Sequence, residues 1–222
     1  MGDAADTKAQ VDYVTAKYPL ASYVAMVGIS AGSGLLVTYL GKEGDNTPVQ
    51  AGCSLCPAYD IPQAFSEMAK NYPVVDSRIL TSMKKCFIRP NKNILSTKSQ
   101  TALDNCSQAT TIEDFVSAHF PFAGYDTLEE YFLDNNPMEW VEEVVRPVLI
   151  VNSEDDMVCM PENIREDVLS SVGGALLLRT KKGSHIAFNE GIWGTGCYLS
   201  RIAMDFLDAA RMVEKKTVTV DT

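Results

Sequence analysis

The chain of 222 residues contains only two histidines, His119 and His185. Any imidazole chemistry must therefore be built on one or both of them. Basic clusters are equally scarce: no run of Lys or Arg exceeds a pair such as Lys84-Lys85 or Lys181-Lys182, and 19 basic against 29 acidic residues leave a formal charge of −10. That balance excludes nucleic acid as the main partner, since phosphate binding requires a basic footprint. No apolar run approaches the about 18 residues that can span a bilayer, and the first six residues, Met1 to Asp6, lack a basic leader. Asp6 also occupies the position where a myristoylation signal has Ser or Thr. These absences lead to the expectation of a cytoplasmic chain. Six cysteines are few for this length and read as reduced thiols. Cys53 and Cys56 form one C-x-x-C without a second pair, so small buried side chains are expected there and a zinc site is not. Internal repeats and low-complexity segments are also missing, which excludes a solenoid.

What remains is an ordinary globular composition, 46% hydrophobic and 22% charged, with enough chain for one domain. Four short apolar runs stand out: 23–27, 48–53, 147–151 and 175–179. Helical material separates each from the next, the signature of a parallel sheet covered on both faces. Partial helical spacing over residues 8–18 predicts a short surface helix before the first run, and LLVTYL continues as a helix after it. More than ninety residues, Ser54 to Arg146, lie between the second and third runs, far more than one crossover helix needs. They carry several helical patterns, so a helical cap inserted at about residues 57–140 is expected. Residues 161–171 are predicted as a helix opened by Pro161, and 196–213 as a closing helix with Leu199, Ile202, Ala203, Phe206, Leu207 and Ala210 on one stripe. The domain is therefore expected over residues 1–213, with 214–222 as a tail.

The sharpest chemical signal is Gly28-Ile29-Ser30-Ala31-Gly32, a G-x-S-x-G between a predicted strand and a predicted helix. A strained turn there projects the Ser30 hydroxyl, and the flanking glycines are expected to relieve collisions that a Cβ would make. The Ala31 amide, at the helix start, is positioned to stabilise an oxyanion. A serine nucleophile needs an imidazole base and a carboxylate to orient it. His185 lies in a loop after the last strand-like run, whereas His119 sits in an aromatic helical stretch where a core role is expected. The acidic run Glu154-Asp155-Asp156 follows directly on the strand PVLIV, so Ser30, Asp156 and His185 fall in the order Ser, Asp, His, each after a strand's carboxyl end. The other two carboxylates of that run are expected to be solvated.

These motifs resemble the α/β-hydrolase superfamily, and within it the abhydrolase-domain lipases and esterases akin to bacterial YheT and the plant embryogenesis-associated hydrolases. GISAGSG resembles the elbow segment G-x-S-x-G-G-N of that family; CPAYDI, TIEDF, FAGYDTLEEYF, RPVLIVNSEDD and GSHIAFNEG then match in order, from about residue 8 to residue 210. The resemblance implies Ser30 as nucleophile, His185 as base, Asp156 as acid with Asp155 as runner-up, and the Ala31 amide as first oxyanion donor. Ser33 and Gly34 depart from the family's Gly-Asn. Members also carry strands before the elbow and the loop that supplies a second oxyanion donor. The expected fold is accordingly the C-terminal part of an α/β-hydrolase, about four parallel strands flanked by helices, with the elbow strand as an exposed edge.

Taken together, the expected activity is hydrolysis of carboxylic esters, acylglycerols or other lipid esters above all, with no metal or organic cofactor. The expected partners are a small-molecule or lipid ester, a membrane surface presenting it, and another copy of the chain paired through the exposed edge. A catalytically silent remnant serving as an interaction module is the alternative.

Overall fold

The computed structural model describes residues 3–220, and side chains through residue 214. Two compact units emerge, one formed by Asp60–Asn135 and the other by the residues on either side of it. In the flanking unit, α1 (Ala4–Lys17) leads to β1 (Ala25–Ile29), α2 (Ala31–Glu43) and β2 (Ala51–Leu55). Asp3 caps α1 by accepting from the Asp6 N–H at 2.8 Å, which satisfies an amide that has no acceptor within the helix.

The inserted unit is helical: α3 (Ile61–Asn71), α4 (Pro73–Met83), α5 (Arg89–Lys98), α6 (Gln100–Gln108), α7 (Ile112–Ala123) and α8 (Leu128–Asn135). Asp60 and Ser99 cap α3 and α6, and Thr111 with Asp114 forms a capping box on α7. Residues 75–95 carry an apolar helical pattern that a proline ring is expected to break at Pro90. Instead Pro90 sits in the first turn of α5, and the chain passes from α4 through a π-turn at Lys84–Ile88, where the wider pitch accommodates a residue lacking an N–H. Met68, Leu103, Ile112, Phe115 and Val116 are fully buried within this unit.

After the insertion come β3 (Val148–Ser153), a short α9 (Glu166–Leu169), β4 (Ala175–Thr180), a small hairpin of β5 (Asn189–Glu190) and β6 (Gly196–Cys197), and α10 (Tyr198–Val220). Strands β1 to β4 form one parallel sheet in the order β1-β2-β3-β4. Every residue of β2 and β3 is buried, while edge strands β1 and β4 are half exposed. Alternation along β3 sends Val148 and Ile150 to a core with Leu36, Tyr39 and Leu40 of α2, and Leu149 and Val151 to a second core with Leu199, Ala203 and Leu207 of α10. Helices therefore cover both faces, as a parallel sheet requires.

Four elements differ from the sequence expectation. Strands β1 and β2 begin two or three residues later than the apolar runs suggest, because Val24 and Val49 enter the core before ladder pairing starts. The helix expected at 161–171 is a 3-10 turn at Pro161–Asn163 followed by the four residues of α9, since Ile164 and Arg165 leave helical backbone angles. Finally, α10 runs to Val220, past residue 213 where the apolar stripe ends; Glu and Lys at 214–216 are good helix formers and need no apolar stripe to make backbone hydrogen bonds. The tail expectation for residues 221 and 222 lies outside the described residues.

His119 has the structural role expected of it. Buried on α7, its ring meets Phe87 at 5.1 Å and Tyr131 at 6.1 Å, and burial pushes its pKa down to about 4 from 6.5. Above pH 6.5 neither folded nor unfolded His119 holds an extra proton; between 6.5 and about 4 only the unfolded form takes one, so stability falls as pH falls. Urea denaturation across that window should show His119→Phe losing up to about 3 kcal/mol less stability than wild type. Parallel pH profiles for the two proteins would contradict this assignment.

Candidate active site

Ser30 links β1 to α2 with φ 54° and ψ −121°, a conformation that non-glycine residues rarely adopt. Its N–H donates to Leu55 O at 2.9 Å, which ties the turn to the end of β2. Its carbonyl accepts from the Ser33 N–H at 2.9 Å and also from the Ser33 hydroxyl. Ser33 is fully buried, so the departure from a family glycine finds an acceptor for its hydroxyl inside the elbow. At Gly28 a Cβ would stand 2.2 Å from Gly32 O, so glycine is obligatory there. Gly32 is different: a Cβ would meet nothing within 4 Å, which corrects the expectation that both glycines prevent collisions. Ala31 is the first residue of α2, where an amide has no acceptor within the helix.

The acid is positioned by the loop after β3. Asp156 is 2% exposed, and its Oδ1 accepts from the Val158 N–H at 2.7 Å and the Cys159 N–H at 2.9 Å. Its Oδ2 faces His185 Nδ1 at 2.9 Å, and His185 Nε2 lies 2.7 Å from Ser30 Oγ. An ionised Asp156 is a pure acceptor, so the imidazole proton resides on Nδ1 and Nε2 is left to accept from the Ser30 hydroxyl. The structure thus brings Ser30, Asp156 and His185 into one continuous relay.

Asp155 is not the residue that meets the imidazole. Its Oδ1 accepts from the Ser184 N–H at 2.7 Å, a bond that holds its carboxyl below the usual range. The Ser153 hydroxyl donates to the Ser184 carbonyl from the same side. Both backbone groups of Ser184, itself at φ 50°, are therefore held by the end of β3 and the loop after it, and the next residue is His185. Of the three acidic residues, only Glu154 matches the solvated role expected for two; it lies on the surface 3.7 Å from Arg179. Ser153, Asp155 and Ser184 escape sequence reasoning because a hydrogen-bonded clamp has no composition or spacing to mark it. Gly183 is required for a local reason, since a Cβ there would fall 2.4 Å from the Phe188 ring.

Asp156, Cys159 and His185 also offer three metal-ligating atoms within 4.8 Å, the one such group among the described residues. The donor set fits a cation poorly. Burial raises the Cys159 thiol well above its ordinary pKa of 9.0, its Sγ donates to Cys56 O at 3.2 Å, and the other two side chains are engaged in the relay. All six cysteines are free thiols, and burial pushes Cys53 and Cys56 up to about 12.

A parallel sheet covered on both faces, with a nucleophile-elbow turn at the carboxyl end of one strand, defines an α/β-hydrolase fold. No protein-family model matches the chain. It is 29% identical over 216 residues to the protein named phospholipase ABHD3 of Homo sapiens, covering 94% of this chain and 51% of that one. It is 25% identical over 203 residues to monoacylglycerol lipase ABHD2 of Homo sapiens, covering 82% and 46%. The chain therefore spans about half the length of the curated relatives it matches. Their names are those of ABHD lipases, in keeping with the abhydrolase-domain resemblance of the motifs, and do not bear on the YheT type. Among solved structures, an α/β fold family hydrolase from Bacillus anthracis superposes with a TM-score of 0.51 at 15% identity, covering 82% of this chain and 68% of that one.

The elbow geometry separates its two glycines. Gly28→Ala should cost about 2 kcal/mol or more in urea denaturation, because backbone must move to admit the methyl group. Gly32→Ala should match or exceed wild-type stability, as expected for an alanine in a helix with free space. Equal losses at the two positions would contradict the geometry.

Proposed function

We propose that the chain carries the catalytic centre of a serine hydrolase acting on carboxylic esters, with acylglycerols or other lipid esters as substrates. The observation that carries this reading is the unbroken relay from Ser30 Oγ through His185 to the buried carboxylate of Asp156. The lipase names of the relatives support the lipid ester. In the proposed reaction the Ser30 oxygen attacks the ester carbonyl while its proton passes to His185 Nε2. Asp156 holds the ring's orientation and stabilises the imidazolium. The Ala31 N–H faces the developing oxyanion at the start of α2. Protonation of the alcohol by His185 releases it and leaves an acyl-Ser30, which water, deprotonated by the same imidazole, hydrolyses. A second oxyanion donor is expected from outside this elbow, and each such donor is worth about 10² to 10³ in turnover.

A second reading, an interaction module without catalysis, is favoured by one observation. Strand β1 is an edge of the sheet, and Val27 and Ile29 are about half exposed beside its unpaired backbone groups. Such an edge would pair with a second copy of the chain. No described helix is long and apolar enough to cross a membrane, and a cytoplasmic location is part of the proposal.

A fluorophosphonate probe separates the two readings. It should label Ser30, with labelling abolished by Ser30→Ala and slowed about 10⁴-fold by Asp156→Asn. Asp155→Asn, which keeps the acceptor for Ser184, should slow labelling by less than about tenfold. A folded protein that takes no label, or one equally sensitive at Asp155 and Asp156, would overturn the assignment.

A further inference from the structure

Immediately beyond His185 the chain makes a stiff projection. Strands β5 and β6 pair antiparallel, and the connecting Gly191-Ile192-Trp193-Gly194-Thr195 turns with Gly191 at φ 82° and Gly194 at φ 61°. Its base is held from several sides. Arg201 binds Glu190 through two hydrogen bonds of 3.1 and 2.5 Å, Phe188 stacks on Tyr198, and the Tyr198 N–H donates to Phe188 O at 2.8 Å. At the tip, Ile192 is 96% exposed and Trp193 is 87% exposed. Ile186, next to His185, is 58% exposed.

Two large apolar side chains held in water at the end of a braced hairpin forgo about 1.5–3 kcal/mol each of burial energy. The arrangement is stable only because the brace lies below the tip, so the tip itself is free to enter another phase. Its chemistry favours an interface between apolar and aqueous phases: the indole of Trp193 has an apolar body and one N–H donor, the character that places Trp at the headgroup level of bilayers. The neighbouring Lys181-Lys182 turn supplies two exposed cations, whereas Arg201 is paired with Glu190 and Asp205. Lys182 is 86% exposed and lies 3.7 Å from Asp155. The Lys181-Lys182-Gly183 turn touches the hairpin base, because Gly183 packs directly against the Phe188 ring.

We propose that this hairpin tip, with Ile186 and the Lys181-Lys182 turn, is the docking element by which the protein engages an anionic lipid surface. Its purpose rests on the ester-hydrolase reading, since docking through the segment that follows His185 would bring a membrane-borne ester toward Ser30. Ile192 and Trp193 enter the headgroup boundary, and Lys181 and Lys182 meet the lipid phosphates and carboxylates.

The test uses the whole chain and vesicles of phosphatidylcholine with or without phosphatidylserine, read by co-sedimentation and by tryptophan quenching with brominated acyl chains. Wild type should bind the anionic vesicles, with bromine quenching that disappears in Trp193→Ala. Ile192→Ser with Trp193→Ser should weaken binding at least about tenfold, while Lys181→Gln and Lys182→Gln should each weaken it about fivefold, on anionic vesicles only. Hydrolysis of a water-soluble short-chain ester should be unchanged in all of these variants. If wild type hydrolyses no ester, the catalytic reading fails, while vesicle binding still decides the docking proposal. No binding to anionic vesicles, binding insensitive to Ile192 and Trp193, or a wild-type dimer that the double substitution dissociates would overturn the proposal.

Discussion

The hydrogen bond between Ser30 and His185 joins residues that follow opposite edges of the sheet. Ser30 comes after β1 and His185 after β4, three strand spacings away, or about 14 Å at about 4.8 Å per strand. The loop after β4 must therefore turn back across the carboxyl ends of β3 and β2. Both backbone groups of Ser184 are bonded at the carboxyl end of β3, its N–H to Asp155 just past the strand and its carbonyl to the hydroxyl of Ser153, the strand's last residue. That clamp supplies the return, and Asp156 then receives the imidazole that the clamp delivers. The relay depends on the β3–β4 pairing, which runs to Ser153 and Thr180 and so fixes where each loop departs.

Such a site sits at high local energy. Ser30, Cys56 and Ser184 all have positive φ, at about 1–3 kcal/mol each, and Asp156 is a nearly fully buried carboxylate. Opposing these costs are charge-assisted bonds to Asp156 from two backbone amides and one imidazole, each worth about 1.5–3 kcal/mol. The wholly buried strands β2 and β3 provide the rigid base on which strained residues persist. The same logic explains why the elbow tolerates Ser33, whose buried hydroxyl bonds to the Ser30 carbonyl and stiffens the turn.

The parallel sheet, its four strands and the residues of the relay were legible in the sequence because each has a local signature. Short apolar runs mark the strands, glycines mark the elbow, and a chain with two histidines offers few bases. The clamp on Ser184 was not legible, since Asp155 looks like any acidic loop residue until β4 brings Ser184 beside it. Gly32 misled in the opposite sense: its motif position implies a steric need, yet the space around it is open. Boundaries failed where backbone rather than side-chain pattern decides, as in the break at Ile164 and Arg165 and the continuation of α10 beyond its apolar stripe.

By the geometry of the relay, folding alone prepares His185 with its Nδ1 proton held by Asp156. Proton NMR of the resting protein tests this directly, because an imidazole proton bonded to a buried carboxylate resonates far downfield of the amides. One such resonance belonging to His185 is predicted, present in wild type and Asp155→Asn and absent in Asp156→Asn. Its absence from the wild-type spectrum, or its persistence in Asp156→Asn, would contradict the account.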